Sequence, residues 1–338
     1  MNLKKILGLT SFFLSFLSFF TLSEAIHIPK KFGINNNIHV HFTQINAKYT
    51  NFNKLIRSNN ILPTILLNFA GGWIMNPNIK LFKNPLFRIS VINTLCIMSG
   101  SMIINDICDI NIDKINSPNK PLVNKSISLK EAYFYLISLF GISEFLALIY
   151  LPKNMKIITH TAIINSLIYT PILKKIPLIK NISCAFLVVL GIIYSSLSIN
   201  INGFDYKIID KNMYLLFIFC STVFSGSLYN EVLLDILDKE GDKLNNINTL
   251  PVIFGNNVSI NILFIILYTI FIHSSFLLIV IYNYNISNIY SIISMYLFLQ
   301  LEIIKFNNYS REIIINSVKN TNKVLLSLVI FICGLSYF

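Results

Sequence analysis

The sequence predicts an all-α membrane protein, a bundle of nine transmembrane helices. Composition is the first ground: 54% of residues are hydrophobic, 12% are charged and the mean hydropathy is +0.65, whereas a soluble domain carries about 25% charged residues. The second is a succession of long apolar runs from residue 61 onward. The third is that no sheet-forming alternation is visible in them. Backbone in lipid must satisfy its own hydrogen bonds, which leaves helices as the default.

The spans are expected at 61–76, 86–105, 131–151, 157–170, 182–200, 212–230, 259–282, 287–303 and 323–338. Several fall short of the roughly 20 residues of an ideal span, so their bounds should shift by a few residues. The first follows the polar Arg57 and Asn60. The second and the sixth each run into an acidic stretch. The fourth closes on Tyr169-Thr170-Pro171, and Asn248-Thr249-Leu250-Pro251 turns the chain back toward the seventh. With nine crossings, the segment before the first span shares a side with loops 106–130, 171–181, 231–258 and 304–323. That side holds eighteen lysines and arginines against seven on the other, as the positive-inside rule requires. The net charge of +12 is thereby a matter of topology, and nucleic acid is not the expected partner. Five cysteines form no CxxC pair, so neither disulfides nor a zinc site is expected.

The N-terminus reads as a leader. Lys4 and Lys5 precede an apolar stretch from Ile6 to Leu22 and then Ser23-Glu24-Ala25, the pattern of a signal peptide or signal anchor over residues 1–25. Residues 26–55 are basic and Asn-rich, and no Asp or Glu occurs from Ala25 to Ile104. This pairing resembles the two-part leader of a plastid bounded by extra membranes, and leaves 56–338 as the membrane domain.

Two acidic clusters carry the chemistry. Asp106, Asp109 and Asp113 form one; Glu231, Asp235, Asp238, Glu240 and Asp242 form the other, and together they hold eight of the fifteen carboxylates. In each, three aspartates recur at i, i+3 and i+7, which would place them on one face of a helix. Acids at the ends of apolar runs are costly and usually functional. Carboxylates so placed repel one another unless a cation lies between them, and Mg²⁺ takes carboxylate oxygens while keeping positions for phosphate. Asn105 can add a neutral oxygen ligand. A solvated loop balanced by lysines is the plain alternative, and an EF-hand lacks support because the alternating ligands and central Gly are missing.

These residues carry a family resemblance. The run from Asn105 to Leu122, with Asn116, Pro118, Lys120 and Pro121, together with 235–255 (DILDKEGDKLNNINTLPVIFG), resembles the UbiA superfamily of intramembrane prenyltransferases. Tyr169-Thr170-Pro171-Ile172-Leu173-Lys174-Lys175 with Asn181 is similar to its intervening loop, and Arg57 and Asn60 to polar positions opening its first helix. The resemblance covers about residues 55–338 and implies a UbiA-type bundle with a central cavity open sideways to lipid. It implies transfer of an isoprenoid chain from a prenyl diphosphate donor to a lipophilic or aromatic acceptor. Asp106, Asp109 and Asp113 would hold one Mg²⁺ and Asp235, Asp238 and Asp242 another. Asn60, Asn105, Lys120, Tyr169, Lys174, Lys175 and Lys243 would contact substrate. Acceptors in the family include homogentisate, naphthoate, chlorophyllide and geranylgeranylglyceryl phosphate, so aromatic, tetrapyrrole and glycerol-phosphate lipid classes all stay open.

The chain departs from the family pattern at three places. Lys120 stands where Arg is commoner, replacing a fork of donors with a point charge. Asn230 and Leu234 replace two basic residues ahead of the second cluster. Those two leave a non-catalytic, lipid- or diphosphate-binding member as a rival reading. A cation-coupled transporter is the other rival, but it should carry its acids near mid-membrane on broken helices.

Overall fold

The computed structural model describes residues 48–199 and 211–337. The leader expected over 1–25 and 26–55 lies outside the described residues as far as residue 47. Residues 48–55 are helical, and Leu55 is fully buried in a cluster with Ile103 and Leu122. The last stretch assigned to the leader therefore packs into the membrane domain.

The helices are α1 (Ile61–Met75), α2 (Pro85–Cys108), α3 (Ile110–Asn116), α4 (Leu129–Tyr150), α5 (Lys153–Tyr169), α6 (Ile179–Leu197), α7 (Lys211–Leu244), α8 (Leu250–Ile281), α9 (Tyr284–Phe306) and α10 (Arg311–Leu335). No strand occurs among the described residues. Their starts follow local chemistry. Asn84 accepts from the backbone N–H groups of Leu86 and Phe87 with Pro85 next in line, which opens α2. Ser128 and Glu131 form a reciprocal capping box at the head of α4.

Among the described residues, seven helices (α2, α4 and α6–α10) are long and apolar enough to cross a membrane, while α1 and α5 have 15 and 17 residues. The outer surface is apolar: Phe134, Ile137, Ile265 and Ile292 are each more than 60% exposed. Asn68, Asn93, Thr222 and Asp235 are buried. An apolar exterior over a partly polar interior is the arrangement lipid demands, and the chain is a multi-pass integral membrane protein.

α1, α2, α5 and α7 pack against α6; α4 packs on α2 and α5, while α8 and α10 pack on α7 with α9 against both, and α1 also touches α7. The indole N–H of Trp73 donates to the Cys333 carbonyl at 3.2 Å, tying α1 to α10. At Gly71 an added Cβ would lie 2.7 Å from the Ile192 carbonyl oxygen. The backbones of α1 and α6 approach that closely only because the residue is glycine.

Three bounds differ from the hydropathy reading. α7 runs fourteen residues beyond 230 and carries the second acidic cluster inside one continuous helix. α10 begins at Arg311 rather than 323. α8 begins at Leu250 but is kinked at Gly255, whose φ of 80° suits glycine alone. Hydropathy marks where a helix meets lipid, whereas backbone hydrogen bonding continues through polar turns.

Candidate functional site

A cavity of about 700 Å³ opens among α1, α2, α5, α6 and α7, and both acidic clusters sit at one end of it. The first cluster is not on a single helix. α2 ends at Cys108, Asp109 adopts φ −93° and ψ 7°, and α3 resumes at Ile110. The break replaces the continuous helical face expected from the spacing. Asp106, Asp109 and Asp113 remain buried all the same, and α3 packs against α7, which brings the two clusters together. Asp109, Asp113, Asp235, Asp238 and Asp242 line the cavity; Asp106 lies just behind its wall. Burial pushes the Asp113 carboxyl above its ordinary range, with Lys120 opposing that rise.

Lysines hold the acids apart. Lys120 Nζ donates to Asp106 Oδ1 at 2.9 Å and to Asp113 Oδ2 at 2.7 Å. Lys174 pairs with Asp109 and lies close enough to Asp242 for their charges to interact. Lys180 Nζ sits 2.5 Å from Asp235 Oδ1, and Asn181 Nδ2 donates to Asp235 Oδ2 at 2.8 Å. Arg57 Nη2 is 3.4 Å from Asp106 Oδ1. Two strained turns place these cations. Arg57 has φ 50° ahead of a 3₁₀ turn, and Leu178 has φ 65° with the N–H of Ile179 bonded to the Pro177 carbonyl at 2.8 Å, a γ-turn opening α6.

Of the other residues expected from the sequence, Asn60, Asn105, Lys120, Tyr169 and Lys174 line the cavity. Lys175 and Lys243 are exposed and do not line it. Lys243 follows Asp242 directly on α7, and neighbouring residues of a helix project about 100° apart, so it faces away. Lys175 shares the 3₁₀ turn Leu173–Lys175 with Lys174, and only Lys174 turns inward. Sequence reasoning counts Lys180 merely among the charges that set topology, yet its side chain is 8% exposed and lines the cavity beside Glu231 and Asp235. Its signal was its place immediately before Asn181.

Two buried carboxylate oxygens, Asp109 Oδ1 and Asp242 Oδ2, have no hydrogen-bond partner. Orphaned anionic oxygens, one from each cluster and both on the cavity wall, are where a cation is expected. No three His, Cys, Asp or Glu side chains converge on one point among the described residues. That does not argue against Mg²⁺, which is held through one or two carboxylates plus water and phosphate. The all-oxygen donor set fits a hard divalent cation.

The profile of the UbiA prenyltransferase family matches residues 62–318. A digeranylgeranylglyceryl phosphate synthase of Methanosphaera stadtmanae is 33% identical over 174 residues, which are 50% of this chain and 59% of that one. The match thus spans less than two thirds of that relative's own length. A synthase of the same name from Methanococcus aeolicus is 31% identical over 219 residues, covering 63% of this chain and 71% of its own. In three dimensions the fold is similar to a UbiA homologue from Archaeoglobus fulgidus bound to DMAPP and Mg²⁺, with a TM-score of 0.61, 19% identity, and coverage of 85% of this chain and 99% of that one. With paired aspartate clusters at the mouth of one cavity and a family match over most of its length, the chain belongs to the UbiA prenyltransferase family.

Proposed function

We propose that this prenyltransferase is Mg²⁺-dependent and moves an isoprenoid chain from its diphosphate to a glycerol-phosphate lipid. The observation that carries the reading is the pair of buried aspartate clusters with orphaned oxygens, facing one cavity and interleaved with lysines. The relatives' names support the acceptor class.

Asp106, Asp109 and Asp113 on one side and Asp235, Asp238 and Asp242 on the other would hold the metal, which when bound neutralises charge on the departing diphosphate. The rest falls to the chain. Lys120, Lys174 and Lys180 are preorganised ammonium groups in a desolvated mouth, able to turn from carboxylate to diphosphate oxygens. Asn60 and Asn105 add neutral polar contacts at the same level. In the transfer, the donor C1–O bond breaks and its electron pair leaves with diphosphate. A lone pair of the acceptor hydroxyl forms the new C–O bond, and the hydroxyl proton passes to an oxygen of the departing diphosphate, which leaves with it. Tyr169 offers an aromatic face to the positive charge that develops on the allylic carbon.

The non-catalytic alternative rested on Asn230 and Leu234. Both line the cavity, and Lys180 supplies a buried ammonium against the neighbouring Asp235; this supports the catalytic reading. The test is a membrane assay with Mg²⁺ and radiolabelled geranylgeranyl diphosphate, offering geranylgeranylglyceryl phosphate, homogentisate, 4-hydroxybenzoate and chlorophyllide in turn. A labelled glycerol-phosphate lipid is expected. A prenylated aromatic or tetrapyrrole would redirect the acceptor, and no product from any pair would favour the non-catalytic alternative.

We read all nine longer helices, α1 and α5 included, as crossing the membrane. Accessibility tags near Lys54 and Lys80, on either side of α1, and near Leu151 and Lys175, on either side of α5, should then report from opposite faces within each pair; a shared face in either pair would contradict the count. The leader is read as a plastid address. A reporter fused after residue 60 should mark that organelle, and an ordinary secretory pattern would refute the assignment.

A further inference from the structure

The cavity has a floor, and the floor is polar. At its far end from the aspartates the wall is formed by Asn68, Thr94, Thr159 and Tyr194, although a donor's tail is hydrocarbon. These groups are already satisfied. Asn93, fully buried behind the wall, donates through Nδ2 to the Tyr194 hydroxyl and to Thr159 Oγ1 at 3.2 Å, and its Oδ1 accepts from Ser143. Thr159 Oγ1 and the Tyr194 hydroxyl are 3.0 Å apart. Thr94 Oγ1 donates to Asn68 Oδ1 at 3.2 Å. Beyond the floor, Leu151, Met155 and Leu197 pack with Tyr194 in a separate apolar cluster. A network that is complete within itself, backed by close packing, gives way to a methyl group only by leaving buried polar groups unpaired.

Its depth follows from two helices independently. Asp109 to Thr94 along α2 spans fifteen residues, about 22 Å at 1.5 Å per residue. Lys180 to Tyr194 along α6 spans fourteen, about 21 Å. An extended chain advances about 3.5 Å per three backbone bonds, hence about 5 Å per four-bond isoprene repeat and about 19 Å for four repeats. Six repeats would need about 28 Å on the same basis.

We propose that the hydrogen-bonded floor of Tyr194, Thr159 and Asn93 is the length stop of the donor site, admitting prenyl diphosphates up to the C20 chain and rejecting those of six or more repeats. This rests on the function proposed above and adds the residues that set its donor specificity. Tyr194 is the centre of the stop, since its ring stands between the cavity and the cluster beneath.

The test measures kcat/KM and binding for C10, C15, C20, C30 and C45 diphosphates with Mg²⁺, using purified full-length protein. The wild type should favour C20 over C30 by at least about tenfold, the scale on which a filled pocket discriminates. Tyr194→Ala removes the ring and should raise the C30-to-C20 ratio at least about tenfold, whereas Tyr194→Phe, which keeps the ring, should not. Because Tyr194→Ala cuts into a buried network, a second variant works from the opposite direction. Leu187→Trp projects into the open cavity about 10 Å below Lys180, and should shift preference from C20 toward C10. Equal use of C20 and C45 by the wild type, or an unchanged C20-to-C10 ratio in Leu187→Trp, would overturn the stop alone, the tail then leaving sideways into lipid. Failure to bind a donor of any length would overturn the prenyl-transfer reading along with it.

Discussion

Asp238→Ala should lower Mg²⁺-dependent transfer by about two to three orders of magnitude, the scale of losing one charge-stabilising contact in a reaction, while the protein stays folded and membrane-inserted. Asp238 lines the cavity at an exposed position of α7, so its removal strands no buried partner. Asp109 calls for a different substitution. It pairs with Lys174, whose side chain is only 15% exposed, and truncation to alanine would mix a folding defect with the catalytic one. Asp109→Asn keeps a hydrogen-bond acceptor for Lys174 but removes the charge, and should lose activity to the same degree. Initial rates in detergent micelles, with melting curves alongside, separate the two effects. Near-normal turnover in either variant would sink the two-cluster mechanism.

The second large effect is at Lys180. It and Asp235 form an ion pair with 8% and 6% of the side chains exposed. Removing one member of such a pair leaves an uncompensated buried charge and costs about 3–5 kcal/mol. Lys180→Met should therefore destabilise the protein and abolish turnover together. The double variant Lys180→Met/Asp235→Leu discards both charges, and should recover most of the stability with none of the activity. A destabilised but fully active Lys180→Met would reduce this lysine to a structural counter-ion.

Lys180 also marks the limit of what the sequence made legible. The spacing of the aspartates and the apolar runs is local information, and it was enough for the class, the two clusters and the approximate helices. It was not enough to say which lysines face inward. Lys174 and Lys175 are adjacent in sequence, yet one pairs with Asp109 and the other is exposed; the turn geometry decides. The family resemblance put Lys243 at the substrate, but it follows Asp242 directly on α7, and adjacent helical residues project to different sides. The break at Asp109 was hidden for a related reason: the i, i+3, i+7 pattern is helical whether or not the helix is continuous. Cavity depth depends on how Asn93, Ser143, Thr159 and Tyr194, scattered over four helices, meet in space.

The proposed function requires both aspartate clusters together to take up a metal-bound diphosphate. Its most direct test is binding, by calorimetry, of geranylgeranyl thiolodiphosphate, a donor analogue whose C–S bond resists ionisation. Binding should be saturable, need Mg²⁺, be lost on chelation, and be lost equally in Asp109→Asn and in Asp238→Ala. Binding that is indifferent to Mg²⁺, or that survives the loss of either cluster, would contradict it.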